Sequence, residues 1–277
     1  MRSSLEHNGI IAGIELIHQA LPANKQWQGS YIKTQIEKRE KGVSFSLTDH
    51  VKAMIYSMLS AETPWERIEA NKDAIDKLFM DYDPEKLMQA DSEALVDGLQ
   101  KIKCGGRCRK NQMKALSRNI ATLRKLDETF GGIDEFSRQM LTDGKESHPY
   151  ECLILALSVN GEYKLAQMGV PLVAEYLRNV GHNISKPDRH VMRMLSAEHL
   201  AEHNFKSYKD ETWSVRALIE GLRIIRQYAK DTNLSEAHID HLMWSYCAKG
   251  YAQLCTSKNP QCQRCTVKAF CLQQSSK

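Results

Sequence analysis

The sequence predicts an all-α protein on three observations. Apolar residues recur at helical spacing, no segment alternates with the period of two that a strand needs, and glycine and proline fall between the periodic segments. The first 47 residues have mixed charge and a weak pattern, and are expected to pack on the C-terminal part. The first clear helix covers residues 51–61, with Thr48 or Asp49 as its N-cap. Asp83-Pro84 marks another start, because proline is tolerated at the first helical position. Residues 111–126 and 150–158 follow. Val215, Leu218, Ile219, Leu222, Ile225 and Tyr228 form one apolar stripe at i, i+3, i+4, i+7 spacing. Ser235 caps a helix running through Trp244, with Gly250 as its stop. Gly105-Gly106, Gly131-Gly132, Asn160-Gly161, Gly169 and Pro187 mark loops. There is no internal repeat and no low-complexity tract.

The chain has 277 residues, 42% of them hydrophobic, which suits one large domain or two small ones and excludes a disordered chain. No apolar run approaches the roughly 20 residues of a membrane span. Met1-Arg2-Ser3-Ser4 is not followed by the apolar stretch of a secretory signal, so an intracellular, membrane-free protein is expected. The net charge of +4 hides a strong polarisation. Residues 98–126 carry nine Lys/Arg and residues 241–277 carry five, with no Asp or Glu in either segment. A partner with dense negative charge suits this distribution. Two solvated basic surfaces would account for it equally well.

Of eight cysteines, Cys104, Cys108, Cys152 and Cys247 are scattered, whereas Cys255-x6-Cys262-x2-Cys265-x5-Cys271 forms a tight group. Clustering favours a metal site in a reducing compartment over a disulfide framework. Structural zinc usually takes two short Cys-x2–4-Cys knuckles, and only one is present. The wider arms suit a bulkier [4Fe–4S] cube, one thiolate per iron corner. Zinc and four unligated thiols are the alternatives. Cys104 and Cys108 lack a matching pair, which makes them bystander thiols rather than half of a second site.

The cysteine loop, read with the stretch from Asp240 to Gly250 before it, resembles the C-terminal end of endonuclease III and of the mismatch adenine glycosylase. Both belong to the helix-hairpin-helix DNA glycosylase superfamily. A second resemblance is Lys186-Pro187-Asp188-Arg189-His190-Val191-Met192-Arg193, similar to the family's Asp-x-His-Val-x-Arg segment. It implies Asp188 as the catalytic carboxylate. Asp188 also reads as a plain N-cap of the following helix. A third is the stretch from Leu165 to Ala174, similar to Leu-Pro-Gly-Val-Gly-x-Lys-Thr-Ala, in which a glycine turn at a helix start aims N–H groups at a phosphate. Gly169 and Val170 fall at that turn. Pro171 replaces the second glycine, and Leu172 or Val173 stands where bifunctional members carry a nucleophilic lysine. Lys164 and Lys186 are nearby but off-register. Ser57 to Thr63 resembles Leu-Leu-Ser-Ala-Gln-x-Thr, with Glu62 in place of the glutamine that fills the gap left by a flipped base. Residues 102–124 resemble the family's basic loop and helix, with Arg107 the candidate intruding side chain.

The resemblance, from about Thr48 to Cys271, implies two helical domains with a DNA-binding groove between them. Residues 48–180 would form a six-helix domain containing the hairpin. Residues 1–47 and 181–277 would form a second domain holding a [4Fe–4S] cluster on Cys255, Cys262, Cys265 and Cys271. The implied partner is double-stranded DNA containing a damaged or modified base, bound by a monomer through Glu62, Arg107, Lys110, Gly169, Val170, Arg264 and Lys268. The implied activity is monofunctional N-glycosidic hydrolysis. A lyase using a displaced lysine and a catalytically silent iron–sulfur DNA-binding protein are the alternatives.

Overall fold

The structure is a computed structural model that describes residues 2–142, 149–159, 161–207 and 212–272; Asn160 and Lys277 lie outside them. The helices in chain order are α1 (Ser4–Gln19), α2 (Tyr31–Glu40), α3 (Leu47–Ser60), α4 (Trp65–Ala70), α5 (Lys72–Leu78), α6 (Pro84–Met88) and α7 (Ser92–Lys101). They continue as α8 (Arg109–Phe130), α9 (Ile133–Thr142), α10 (Pro149–Ser158), α11 (Val170–Asn179), α12 (Arg189–Leu195), α13 (Val215–Thr232) and α14 (Glu236–Cys247). An isolated bridge pairs Ser196 with His203.

The chain divides into two compact units: Met1–Glu37 with Asn183–Lys277, and Lys38–His182. The sequence places the first border at 47/48, ten residues later. In the continuous unit, α3 packs on α11 and α8, and α8 on α6, α7 and α9. Met54, Ile55, Met58, Leu116, Ile120, Leu123, Val173 and Leu177 are buried there. In the discontinuous unit, α1 packs on α13 and α14. Ile10, Ile11 and Ile14 join Ile224, Ile225, Tyr228, Leu242 and Tyr246 in one core.

Local chemistry explains where the helices begin. α3 starts earlier than the sequence suggests. Ser46 is the N-cap, its Oγ accepting from Asp49 N–H at 3.2 Å while Asp49 Oδ2 accepts from Ser46 N–H at 2.9 Å. Asp49 is thus the third residue of a capping box, and the reciprocal bonds satisfy two end donors at once. Asp83 caps α6 with Pro84 in its first turn, as the sequence predicts. Ser235 caps α14, but the helix ends at Cys247, because Ala248 turns extended and Ala252 N–H returns to Ser245 O. Gly250, with φ +85°, lies in the turn beyond. The 215–228 stripe is buried except at its first member, since Val215 is 44% exposed in the opening turn of α13.

Candidate nucleic-acid interface and active centre

The hairpin is α10 and α11, with residues 159 and 161–169 described between them. Gly169 is the N-cap of α11, with extended backbone, and Pro171 lies in the first turn. The Gly169 carbonyl accepts from Leu172 and Val173 N–H, both at 3.0 Å. The N–H groups of Gly169 and Val170 have no acceptor among the described residues, so this helix start keeps the donors an anion would take. The loop is fixed from outside by Asn119 of α8. Its side-chain amide donates to Ala166 O at 2.9 Å and accepts from Ala166 N–H at 2.7 Å. Sequence reasoning misses Asn119. The available signal is a polar residue between Leu116 and Ile120, on the buried face of a strongly periodic helix.

The opposite face of α8 is basic. Lys110, Lys114 and Arg118 recur every fourth residue and are exposed. Lys110 and Lys114 both reach Glu93, at 3.3 and 3.7 Å. Arg118 lines a shallow cleft of about 340 Å³ with Asn111, Lys114, Ala115, Ala166 and Gln167. A neighbouring cleft of about 360 Å³ shares Arg118, Ala166 and Gln167 and adds Gly161 and Lys164. The cationic face of α8 therefore runs onto the hairpin loop. Lys114 and Arg118 do not stand out individually in the sequence, although both belong to its basic segment.

Glu62 follows the end of α3 with φ +64° and is bound to Arg107, whose guanidinium lies 2.7 Å from its carboxylate. Two sequence candidates are thus brought together from separate loops.

Asp188 lies in the other unit, half-buried, as the N-cap of α12. Oδ1 accepts from His190 N–H at 2.8 Å and Val191 N–H at 3.2 Å. Oδ2 takes no hydrogen bond from the described residues. The cap reading is therefore realised, and it leaves one carboxylate oxygen for other work. α12 is tied to the cysteine loop through Arg193, which donates to Cys255 O at 2.7 Å and meets His190 Nδ1 at 3.1 Å. Arg193 is buried, and the sequence assigns it no role.

The cysteine loop is anchored at several points. Cys255 and Cys265 pack against the core of their unit, and Tyr246 Oη donates to Cys265 Sγ at 3.3 Å. Thr266 Oγ1 donates to Gly13 O at 2.6 Å, and Arg2 donates to Phe270 O at 2.5 Å. Gly13 admits this approach, since a Cβ there would sit 3.0 Å from Val267 Cγ1 and 3.2 Å from Thr266 O. A hydrogen bond with Cys247, and then one with His199, hold the Cys255 thiol below its ordinary range against the effect of burial, while burial pushes Cys247 up. None of the four cysteines of the loop is in a disulfide. Among the described residues no three His, Cys, Asp or Glu side chains converge as a ready metal site. Lys258, Arg264 and Lys268 are exposed on the same loop.

No known family profile and no curated protein sequence matches the chain. The fold is that of the helical DNA glycosylases. It is similar to the Methanocaldococcus jannaschii 8-oxoguanine glycosylase/lyase in complex with a 15mer DNA containing 8-oxoguanine. The TM-score is 0.52 at 19% identity, over 87% of this chain and 97% of that one. It is also similar to 8-oxoguanine DNA glycosylase from the same organism, with a TM-score of 0.53 at 19% identity over 88% and 97%. No helix is long and apolar enough to cross a membrane among the described residues.

Proposed function

We propose that the chain is a DNA glycosylase that binds duplex DNA, takes a damaged or modified base out of the stack and hydrolyses its N-glycosidic bond with Asp188. The observation that carries this reading is the Asp188 carboxylate, fixed through Oδ1 by two N–H groups of α12 with Oδ2 left over. A base in the stack hides its glycosidic bond, so extrusion must come first. Cleavage then builds positive charge on the sugar. A carboxylate whose orientation is already set stabilises that charge without reorganising, and its second oxygen can orient or deprotonate the attacking water. The two similar structures act on 8-oxoguanine, which makes oxidised guanine the first substrate to try. A base-release screen over duplexes carrying oxidised, alkylated, deaminated or hypermodified bases tests the reading. Release of none of them would overturn it in favour of a silent DNA-binding protein.

Hydrolysis without a lyase step is the favoured chemistry, because Leu172 and the fully buried Val173 occupy the hairpin positions where a lysine nucleophile would stand. A second reading is favoured by Lys164, which lines a cleft beside the hairpin loop. Borohydride added during reaction should trap no protein–DNA adduct, and the product strand should remain intact until heated in alkali. An adduct that disappears in Lys164→Ala or Lys186→Ala would instead assign the lyase role to that lysine.

Duplex DNA is the partner we infer for the basic face of α8 and for the exposed cations of the cysteine loop. Removing one cation that neutralises a phosphate should lower the salt dependence of binding by about one unit in the log–log slope. Replacing Lys110, Lys114 and Arg118 together by alanine should therefore reduce the slope by about 2–3 units, read by anisotropy across a salt series. An unchanged slope would remove α8 from the interface.

We also infer that Cys255, Cys262, Cys265 and Cys271 hold a [4Fe–4S] cluster. The loop supplies four thiols on one anchored segment, a donor set of the right chemistry for such a cluster. Such a group would supply four covalent ties across residues 255–271. The loop's own residues do the remaining work, holding α1 through Thr266 and α12 through Cys255.

A further inference from the structure

Residues 183–188 lead into α12 without regular secondary structure, so no ladder of backbone bonds sets the place of Asp188. α14 holds the segment at two rungs three residues apart. Asn183 Oδ1 accepts from Ala237 N–H at 3.1 Å, and Asp240 Oδ1 accepts from Lys186 N–H at 2.6 Å. The second rung leads directly to Asp188, whose N–H donates to Lys186 O at 2.7 Å and closes a three-residue turn across Pro187. The proline ring fixes one backbone angle of that turn. α13 packs against it as well. A Cβ on Gly221 would sit 2.5 Å from Met192 Sδ and 3.6 Å from Pro187 Cβ, so the helix comes this close only through a glycine.

The needs of α14 do not explain Asp240. It lies in the interior of the helix, 2% exposed, among Ala237, Ile239, Leu242 and Met243, which are fully buried. Aspartate is a poor helix former, and a buried carboxylate carries a desolvation cost that an apolar side chain would avoid. What it provides is one short hydrogen bond, of the stronger kind that a carboxylate acceptor makes. Lys186 is engaged through both of its backbone groups, the N–H by Asp240 and the carbonyl by Asp188. A line of two hydrogen bonds therefore runs from the core of this unit to the backbone of Asp188.

We propose that Asp240 is a positioning residue for Asp188. It fixes the turn from Lys186 to Asp188, and so the direction of the carboxylate oxygen that the cap of α12 leaves over. This rests on the glycosylase reading above and deepens it: base release depends on a side chain of α14 that acts only through the backbone of the turn. The dependence is steep, because a displacement of about 1 Å at a reacting group costs about 10² in rate.

The test is single-turnover base release at saturating enzyme, paired with affinity for a duplex carrying an abasic analogue and with the melting temperature. Asp240→Ala, which leaves the Lys186 N–H without its acceptor, should slow release about 10²-fold and keep duplex affinity within a few-fold of the parent. Asp240→Asn still offers an oxygen to that N–H and should restore most of the rate. Asn183→Ala removes the neighbouring rung, which has no link to Asp188, and should lower the melting temperature with little change in rate. If Asp240→Ala yields no soluble protein, Asp240→Glu takes its place: it keeps the carboxylate but moves the oxygen by one methylene, and should slow release in the same way. A rate for Asp240→Ala, or for Asp240→Glu in its place, within a few-fold of the parent would overturn the inference. So would an Asp240→Asn variant as slow as either, because charge and not the bond to Lys186 would then matter. An Asn183→Ala variant as slow as these would also overturn it, since general loosening would then account for the loss. A parent chain that releases no base from any duplex overturns the glycosylase reading and this inference with it; a parent that releases base at a rate indifferent to residue 240 overturns this inference alone.

Discussion

Asp188→Asn should lower the rate of base release by about 10²–10³ or more while leaving duplex affinity within a few-fold of the parent. The substitution separates the two jobs of the residue. As an N-cap, Asn is about as good as Asp, so its side-chain oxygen can still accept from His190 and Val191 N–H and α12 should start where it does now. As a catalytic group it loses its charge, which matters most when positive charge appears on the sugar and little before that. Single-turnover kinetics on a modified-base duplex, paired with affinity for an abasic-analogue duplex, reads both. An equal loss in rate and affinity would make Asp188 a structural cap whose removal disturbs binding. An unchanged rate would move the chemistry to another carboxylate.

Purified protein should be yellow-brown, absorb broadly near about 400 nm and carry about four irons per chain. Cys262→Ser or Cys265→Ser should abolish the absorption and most of the soluble yield, whereas Cys152→Ser should leave both unchanged. The loop explains the size of the expected effect. It is joined to α1 by the Thr266–Gly13 hydrogen bond, to the segment just before α1 by the Arg2–Phe270 bond and to α12 by the Arg193–Cys255 bond. A loop without its ties would release the ends of elements that build the core of its unit. One zinc and no iron after anaerobic preparation would replace the cube with a zinc site.

Local patterns are the legible part of the sequence. Asp188 and Ser235 cap helices where the sequence predicts, because a cap depends on a residue and the next few N–H groups. The periodicity of α8 and α13 likewise needs only neighbours in sequence. What escapes is pairing at a distance. Nothing near Glu62 announces Arg107, and nothing near Ala166 announces Asn119; each contact exists only once the helices have packed. The start of α3 is misplaced for a smaller reason. Ser46 and Asp49 satisfy one another, and a reading that weighs single caps chooses the carboxylate. α1 is not legible although Ile10, Ile11, Ile14 and Ile17 share a face, since so short a stripe gains meaning only beside α13 and α14.

The interleaving of the two compact units sets an order of events during synthesis. The unit from Lys38 to His182 is a continuous stretch, and its helices can find one another while the ribosome is still working downstream. The other unit has no such freedom. α1 precedes its partners α13 and α14 by some two hundred residues, and its contacts with Val267 and Phe270 come later still. Until then its isoleucine face is solvent-exposed and open to wrong partners. The nascent chain thus passes through a stage in which one half is finished and the other is a lone amphipathic helix. A ribosome stalled anywhere between about 183 and 272 should expose that stage to chaperones and proteases.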